Sequence, residues 1–253
     1  MRSTEKRIDE YIMLGLQIDL FDSNQVDTIK SRLSGVEVRV VDKETLPKVS
    51  TISNSNGEKI IIINSNLCSM KEADEEIFKI FSQIINDVHR DLYVYGQSEF
   101  VLLKKKFRSD YLDKPLLRYP EWGGILLDNA ISEYSSKLMT NKKYDLDGKE
   151  IEDYTKTNEY VLANYFSKSL FSGKNSFLKL CKSAYNDVAV DTIYSKYSER
   201  ENGLNDLYEI LGYMGNVALY YHKGIVPEST LNRETSNVLL SKKMVRDKVK
   251  GLK

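Results

Sequence analysis

Histidine is nearly absent from this chain: its 253 residues include two, His89 and His222. Any histidine-based chemistry must be built on one of these. Cysteine is as scarce. Cys68 and Cys181 each sit in an apolar context and neither belongs to a Cys-x-x-Cys pair, so both read as buried free thiols, which excludes a disulfide framework and suits a reducing compartment. Four prolines and thirteen glycines leave few break points, and no repeat or flexible linker is visible. Excess charge of either sign is missing. Lys plus Arg is 37 and Asp plus Glu is 37, which argues against whole-surface binding to nucleic acid, where neutralising phosphates needs a basic excess. Long apolar runs are missing too. Ile60–Ile63 and Ile125–Leu127 are far too short to span a bilayer, and Met1–Asp19 has no continuous apolar core of the signal-peptide kind. The expectation is a cytoplasmic protein with no membrane partner.

What is present is globular. Apolar residues make up 41% and charged residues 29%, a balance that folds rather than stays disordered. The length suits one large domain or two small ones and is enough to bury a core without disulfides or metal clips. The abundance of Lys, Asn, Ile, Ser and Tyr points to an AT-rich bacterial or phage genome.

The first third reads as mixed α/β. Ile8, Tyr11, Ile12 and Leu16 recur at helical spacing. Val36, Val38 and Val40 alternate with Glu37 and Arg39, as on a half-buried strand. Lys48–Ile52 and Lys59–Ile63 flank Asn54-Ser55-Asn56-Gly57, whose Asn-Gly step tolerates the positive φ of a tight turn, so the two segments should pair antiparallel. Ile60-Ile61-Ile62-Ile63 is apolar on both faces, as a covered strand requires. Helical spacing follows: Ile77, Phe78, Phe81, Ile84, Ile85, Val88 and Leu92 form one stripe, with Ser69 as N-cap and Glu72 completing a capping box. Tyr119–Gly124 reads as a loop, and Gly123-Gly124 as the turn leading into a helix over Ile125–Met139, with anion binding on free N–H groups as the sharper alternative. Further helices are expected over Tyr160–Phe171, Phe177–Tyr185, Leu204–Tyr221 and Glu234–Val249, with Ser172-Gly173 and Lys223-Gly224 as stops. The whole is an α+β arrangement: N-terminal helix, small antiparallel-containing sheet, long central helix, helical C-terminal half. It is taken as one domain, 1–253, with an α/β part over 1–68 and a mainly helical part over 69–253.

Over about residues 30–190 this order resembles the zincin-like metallopeptidase fold, especially its small low-GC Gram-positive forms. There an Ile-rich strand ends in Asn-x-Asn, acidic residues lead into a helix carrying His-Glu-x-x-His, and a Gly-x-x-Leu-Asn-Glu-Gly-x-Thr-Glu-Tyr segment supplies a third ligand. This chain has Ile62-Ile63-Asn64-Ser65-Asn66-Leu67, then Glu75-Glu76-Ile77-Phe78-Lys79-Ile80-Phe81-Ser82-Gln83-Ile84-Ile85-Asn86, and later Gly124-Ile125-Leu126-Leu127-Asp128-Asn129-Ala130-Ile131-Ser132-Glu133-Tyr134.

The departures decide the chemistry that the resemblance implies. Two histidines one turn apart grip one zinc from one helix face, and the glutamate beside the first is the general base. Here Ser82 and Asn86 stand at the two histidines, Gln83 at the glutamate and Asn129 at the third ligand. A second frame, Ile85-Asn86-Asp87-Val88-His89, keeps His89 as one ligand, with Ile85 and Asn86 at the first ligand and the base. Either frame leaves at most one ligand on the helix. No metal, no cofactor and no catalytic residue is therefore expected. Glu133 and Tyr134 match the family's Glu-Tyr pair and imply retained scaffold. His89 and Asp128 complete the candidate cleft residues.

Other constellations carry less. Asp87, His89 and Asp91 scatter over different helix faces. No flanking motif supports a Cys/His nucleophile. Ser172-Gly173-Lys174-Asn175 lacks the upstream glycine of a phosphate loop. The seventeen tyrosines, spread over most segments, read as core packing. Two basic runs, Lys104-Lys105-Lys106-Phe107-Arg108 and a tail with Lys242, Lys243, Arg246, Lys248, Lys250 and Lys253, read as solvated faces, or else as contacts for nucleic acid or an acidic partner.

The leading expectation is a catalytically inactive zincin-like protein whose cleft binds a protein or peptide by strand addition. The alternatives are an enzyme of another class reusing the cleft through Glu133, Asp128 or His89, and a phage or mobile-element protein using the basic runs on nucleic acid.

Overall fold

The computed structural model describes residues 3–42, 46–53, 58–86, 120–171 and 173–185. The chain forms two compact units that interleave along the sequence. The first is Met1–Asn86, Ile131–Tyr154 and Cys181–Asn186; the second is Asp87–Ala130, Thr155–Leu180 and Asp187–Lys253.

The first unit opens with helix α1, Thr4–Gln17, where the Ser3 hydroxyl accepts from the Lys6 N–H. The expected helix is present but its buried face is rotated. Arg7, Tyr11, Ile12, Leu14 and Gly15 face inward, while Leu16 is 38% exposed. Gly15 explains the rotation: the Phe21 ring lies where a Cβ would sit. The chain leaves α1 through Asp19 in the left-handed region (φ 55°), passes a short 3-10 turn, Ser23–Gln25, and enters α2, Val26–Leu33. Sequence reading places no helix here, since only Ile29 and Leu33 mark its buried face.

Three strands follow: β1, Val36–Val41; β2, Val49–Ser53; and β3, Lys59–Asn64. Their order is β1-β3-β2, with β1 parallel and β2 antiparallel to β3. The antiparallel pairing runs from Val49 opposite Ile63 to Ser53 opposite Lys59, as the Asn-Gly step implies; the turn over 54–57 lies outside the described residues. The central place of β3 explains its apolar run. Ile60, Ile61 and Ile63 are buried and Ile62 is half-buried, so both faces are covered. At the outer edge of β1 the Thr4 hydroxyl accepts from Val38 N–H at 2.9 Å.

The Asn64–Leu67 turn joins sheet to helix. Asn64 is fully buried; its amide donates to the Leu46 carbonyl at 2.8 Å, and its side-chain oxygen accepts from Asn66 N–H at 3.2 Å. Helix α3, Met70–Asn86, then starts on the expected capping box: Glu72 accepts from Ser69 N–H at 2.9 Å, and the Ser69 hydroxyl accepts from Glu72 N–H at 3.3 Å. The Lys48 ammonium most of all, and then the N–H and hydroxyl of Ser69, donate to the Glu72 carboxylate and lower its pKa to about 2. The apolar stripe Ile77, Phe78, Phe81 and Ile85 is buried, together with Asp74, Ser82 and Asn86; Val88 and Leu92 lie outside the described residues. At the far end Arg32 donates to the Ile85 carbonyl, satisfying one terminal acceptor of the helix.

Helix α4, Pro120–Tyr144, corrects the loop expected over Tyr119–Gly124. Proline suits a first helical position because the N–H it lacks would be unpaired there and its φ is already helical. Gly123 and Gly124 lie within the helix, so they form neither a lead-in turn nor a loop. Residues 131–144 of α4 belong to the first unit, as does α5, Lys149–Tyr154, a short helix that sequence reading does not anticipate.

Residues 120–130 of α4 belong to the second unit, with α6, Asn158–Leu170, and the start of α7, Ser176–Ala184. Thr157 caps α6, and Gly173 (φ 91°) and Asn175 (φ 64°) turn the chain into α7. Tyr160 meets Phe177 edge-on, with ring centres 4.8 Å apart. The expected helices over Leu204–Tyr221 and Glu234–Val249 lie outside the described residues. The described elements are mixed α+β: seven α-helices and one three-stranded mixed sheet. No described helix is long and apolar enough to cross a membrane. Both cysteines are free; Cys181 is buried, but Cys68 is only half-buried, which corrects its expected burial.

Candidate functional site

The site is built on the last turns of α3. Ser82 and Asn86, four residues apart, lie on one helix face and are both buried, at 0% and 3% exposure; Gln83 is half-buried. The Ser82 hydroxyl is enclosed by two phenols. Ser82 Oγ lies 2.9 Å from Tyr11 Oη and 2.9 Å from Tyr185 Oη, and the two phenol oxygens are 2.9 Å apart. Each hydroxyl has one donor, so the three close a ring in which each donates once and accepts once. The ring ties α1 and α3 to the segment just after α7. Burial is the main reason the Tyr11 and Tyr185 hydroxyls are held above the ordinary phenol range, so both stay neutral.

Around the ring the packing is aromatic. The Tyr11 ring meets Phe78 and Phe81 edge-on at 5.6 Å each and stacks on Phe21 at 6.2 Å, and Phe21 meets Tyr185 at 5.2 Å. One turn beyond Ser82, Asn86 has both amide atoms buried, with no hydrogen-bond partner among the described residues.

A zinc ion, which the resemblance implies, does not fit these residues. Zinc needs anionic or imidazole donors, and Ser82, which the resemblance aligns with a first ligand, is a neutral hydroxyl with two phenol oxygens at hydrogen-bond distance. Among the described residues no group of three or more His, Cys, Asp or Glu side chains could hold a metal ion.

Two charged networks brace α3. Asp74, 1% exposed, accepts from Arg7 at 2.8 Å, Lys143 at 2.6 Å and the Tyr144 hydroxyl at 2.6 Å; Lys143 also pairs with Glu10 at 2.9 Å. Burial is the largest influence on Asp74 and opposes its ionisation. The bonds from Lys143 and Tyr144 and the charges of Lys143 and Arg7 together outweigh it and hold the carboxyl below its usual range. On the neighbouring face Glu133 pairs with Lys79 at 2.6 Å and with Lys137 at 3.2 Å, and Lys137 also pairs with Glu75. Burial again pushes the Glu133 carboxyl up, but the two lysines hold it below the usual range.

The structure thus brings Ser82 together with Tyr11 and Tyr185, and Glu133 together with Lys79. Asn129, half-buried, and Asp128, buried, lie on the part of α4 that belongs to the second unit; Tyr134 is half-buried in the first. His89, Lys104, Lys105, Lys106, Arg108 and the basic C-terminal tail lie outside the described residues. Sequence reading misses the hydroxyls of Tyr11 and Tyr185 and the Asp74 network. Tyr11 is legible as a core position, but no local signal joins it to Ser82, 71 residues away. Compared with family models, curated proteins and solved structures, the chain matches none.

Proposed function

We propose that the protein is a catalytically inactive, cytoplasmic member of the zincin-like fold that binds an extended segment of another protein along the outer edge of β2. The observation that carries this reading is the state of Ser82: at the first ligand position of a sheet-turn-helix arrangement stands a neutral hydroxyl, engaged by two neutral phenols. Gln83 has no basic lone pair with which to take a proton from water, and Asn86 is a neutral amide. An enzyme reusing the cleft through Glu133 is disfavoured, because two lysine ammonium groups keep that carboxylate ionised and occupied.

Strand addition needs an open backbone edge. Asn64 N–H donates to the Lys48 carbonyl, and with Val49 opposite Ile63 this directs the backbone groups of Ser50 and Ile52 at β3. Those of Val49, Thr51 and Ser53 point outward and have no ladder partner among the described residues. At the other edge, β1 is engaged by Thr4.

The test combines metal content by elemental mass spectrometry, on protein purified without chelator or affinity tag, with selection from a peptide display library. The expected result is no retained zinc, peptides bound without cleavage, and binding lost in Thr51→Pro, which removes an outward N–H and leaves the ladder to β3 intact. About one zinc per chain together with peptide hydrolysis would overturn the proposal.

A further inference from the structure

The two outer strands of the sheet are finished differently. A strand edge offers N–H and C=O groups to any other strand, and proteins ordinarily guard it with charge, proline or a covering group. β1 is guarded: Glu37 and Arg39 are exposed and paired with each other at 2.7 Å, and Thr4 accepts from Val38 N–H. β2 carries none of these devices. Val49-Ser50-Thr51-Ile52-Ser53 holds no charge and no proline, and its Val, Thr and Ile are strand formers. Lys48, the charge next to the strand, is held by Glu72. Thr51 is exposed and Ile52 is 48% exposed. Ile52 lies opposite the buried Ile60 of β3, so an apolar row runs out from the sheet centre to β2 and stays open there.

We infer that two copies of this chain pair antiparallel along β2, Thr51 against Thr51 across a two-fold axis, joining their three-stranded sheets into one. The backbone selects the register. Asn64 N–H donates to the Lys48 carbonyl, so the backbone groups of Ser50 and Ile52 face β3 and those of Val49, Thr51 and Ser53 face outward. Centring the pair on Thr51 also sets Val49 opposite Ser53, and it is the one antiparallel register that engages every outward group. The side chains agree with it. Thr against Thr is a favourable cross-strand pair. On the other face Ile52 falls opposite Ser50 of the second copy, so each row across the joint reads Ile60, Ile52, Ser50, Ile62. No like charges meet, because the two Lys48 residues stand about 20 Å apart along the strands. A strand of 5 residues is small beside the roughly 20–30 residues a side of a stable interface, so the dimer is weak and depends on concentration. The inference shares the edge of β2 with the proposed function, so peptide and second copy exclude each other there. It needs neither the zincin resemblance nor peptide binding.

Sedimentation equilibrium of the native chain, from micromolar to millimolar concentration, should show monomer passing into dimer. Thr51→Pro removes both central N–H donors, and Ile52→Lys sets two ammonium groups diagonally across the axis. Each should weaken the dimer about tenfold or more. If Thr51→Pro fails to fold, Ile52→Lys decides, since lysine is an ordinary residue on an edge strand. Disulfide trapping in a Cys68→Ser background reads the register. Directly opposed Thr51 Cα atoms lie about 5.5 Å apart, within disulfide reach, whereas the two Val49 Cα atoms lie more than about 13 Å apart. Thr51→Cys should therefore cross-link and Val49→Cys should not. A monomer at every concentration overturns the inference. So does a dimer that Ile52→Lys leaves intact, or cross-linking through Val49→Cys as readily as through Thr51→Cys. Peptides selected without any dimer overturn this inference alone, and a dimer without selected peptides overturns the peptide reading alone.

Discussion

Replacing Asp74 with asparagine keeps the shape of the side chain and removes its charge. The native carboxylate accepts three hydrogen bonds, from Arg7, Lys143 and the Tyr144 hydroxyl, at 1% exposure. Asparagine turns one of its two oxygens into a donor, which then confronts Arg7 or Lys143, cations with no lone pair to accept it. Arg7, 8% exposed, loses its counter-charge, and its Nε already has no partner among the described residues. Lys143 is partly protected because Glu10 remains 2.9 Å away. Breaking a buried ion pair from one side costs about 3–5 kcal/mol, and the Glu10 contact places this case near the lower end. For a chain of this length that corresponds to a fall in Tm of about 6–12 °C. The effect must also depend on pH. The folded-state pKa of Asp74 is depressed, so its contribution is fully present above the unfolded value of about 3.9 and is lost as pH falls through the folded value. Urea denaturation followed by far-UV circular dichroism should show wild type and Asp74→Asn far apart at pH 7 and converging as pH falls below the unfolded value of about 3.9. A loss under about 1 kcal/mol at pH 7, the value of an ordinary neutral hydrogen bond, would refute the argument. So would a difference that does not change with pH.

Gly15→Ala should destabilise even though alanine is the better helix former. Its Cβ would lie 2.2 Å from the Phe21 ring, which is held between Tyr11 and Tyr185, so overpacking of about 1–3 kcal/mol offsets or exceeds the propensity gain of up to about 1 kcal/mol. A more stable variant in chemical denaturation would contradict the placement of Phe21. Tyr11→Phe and Tyr185→Phe should each destabilise but not add, with a coupling of about 0.5–3 kcal/mol, because either change opens the same hydroxyl ring. Strict additivity in the cycle would mean that the ring is not formed.

Much of the first unit was legible from local pattern. The alternation in β1, the antiparallel pairing of β2 with β3 and the Ser69/Glu72 capping box each follow from pattern within a short stretch of chain, and each appears as expected. The misses share a cause. Helix α2 has only two buried apolar positions, so its periodicity is too short to read. The start of α4 was obscured by Pro120, Gly123 and Gly124, which break helices in the interior but not necessarily at the first turn. The inward face of α1 was misplaced because Gly15 and Arg7 carry no hydrophobic signal, yet one receives an aromatic ring and the other a buried carboxylate.

For the candidate site the division is sharper. Sequence alone determined which residue types stand on the last turns of α3, since a four-residue spacing puts Ser82 and Asn86 on one face of any helix. It also determined that neither is a strong zinc ligand. Only the tertiary structure decided what those groups do instead: Ser82 is closed into a ring by Tyr11 and Tyr185, and Asn86 is buried with no partner among the described residues. Hydrogen-bond partners 71 and 103 residues distant leave no trace in local periodicity, because the side-chain positions they depend on are set by the packing of whole helices against one another.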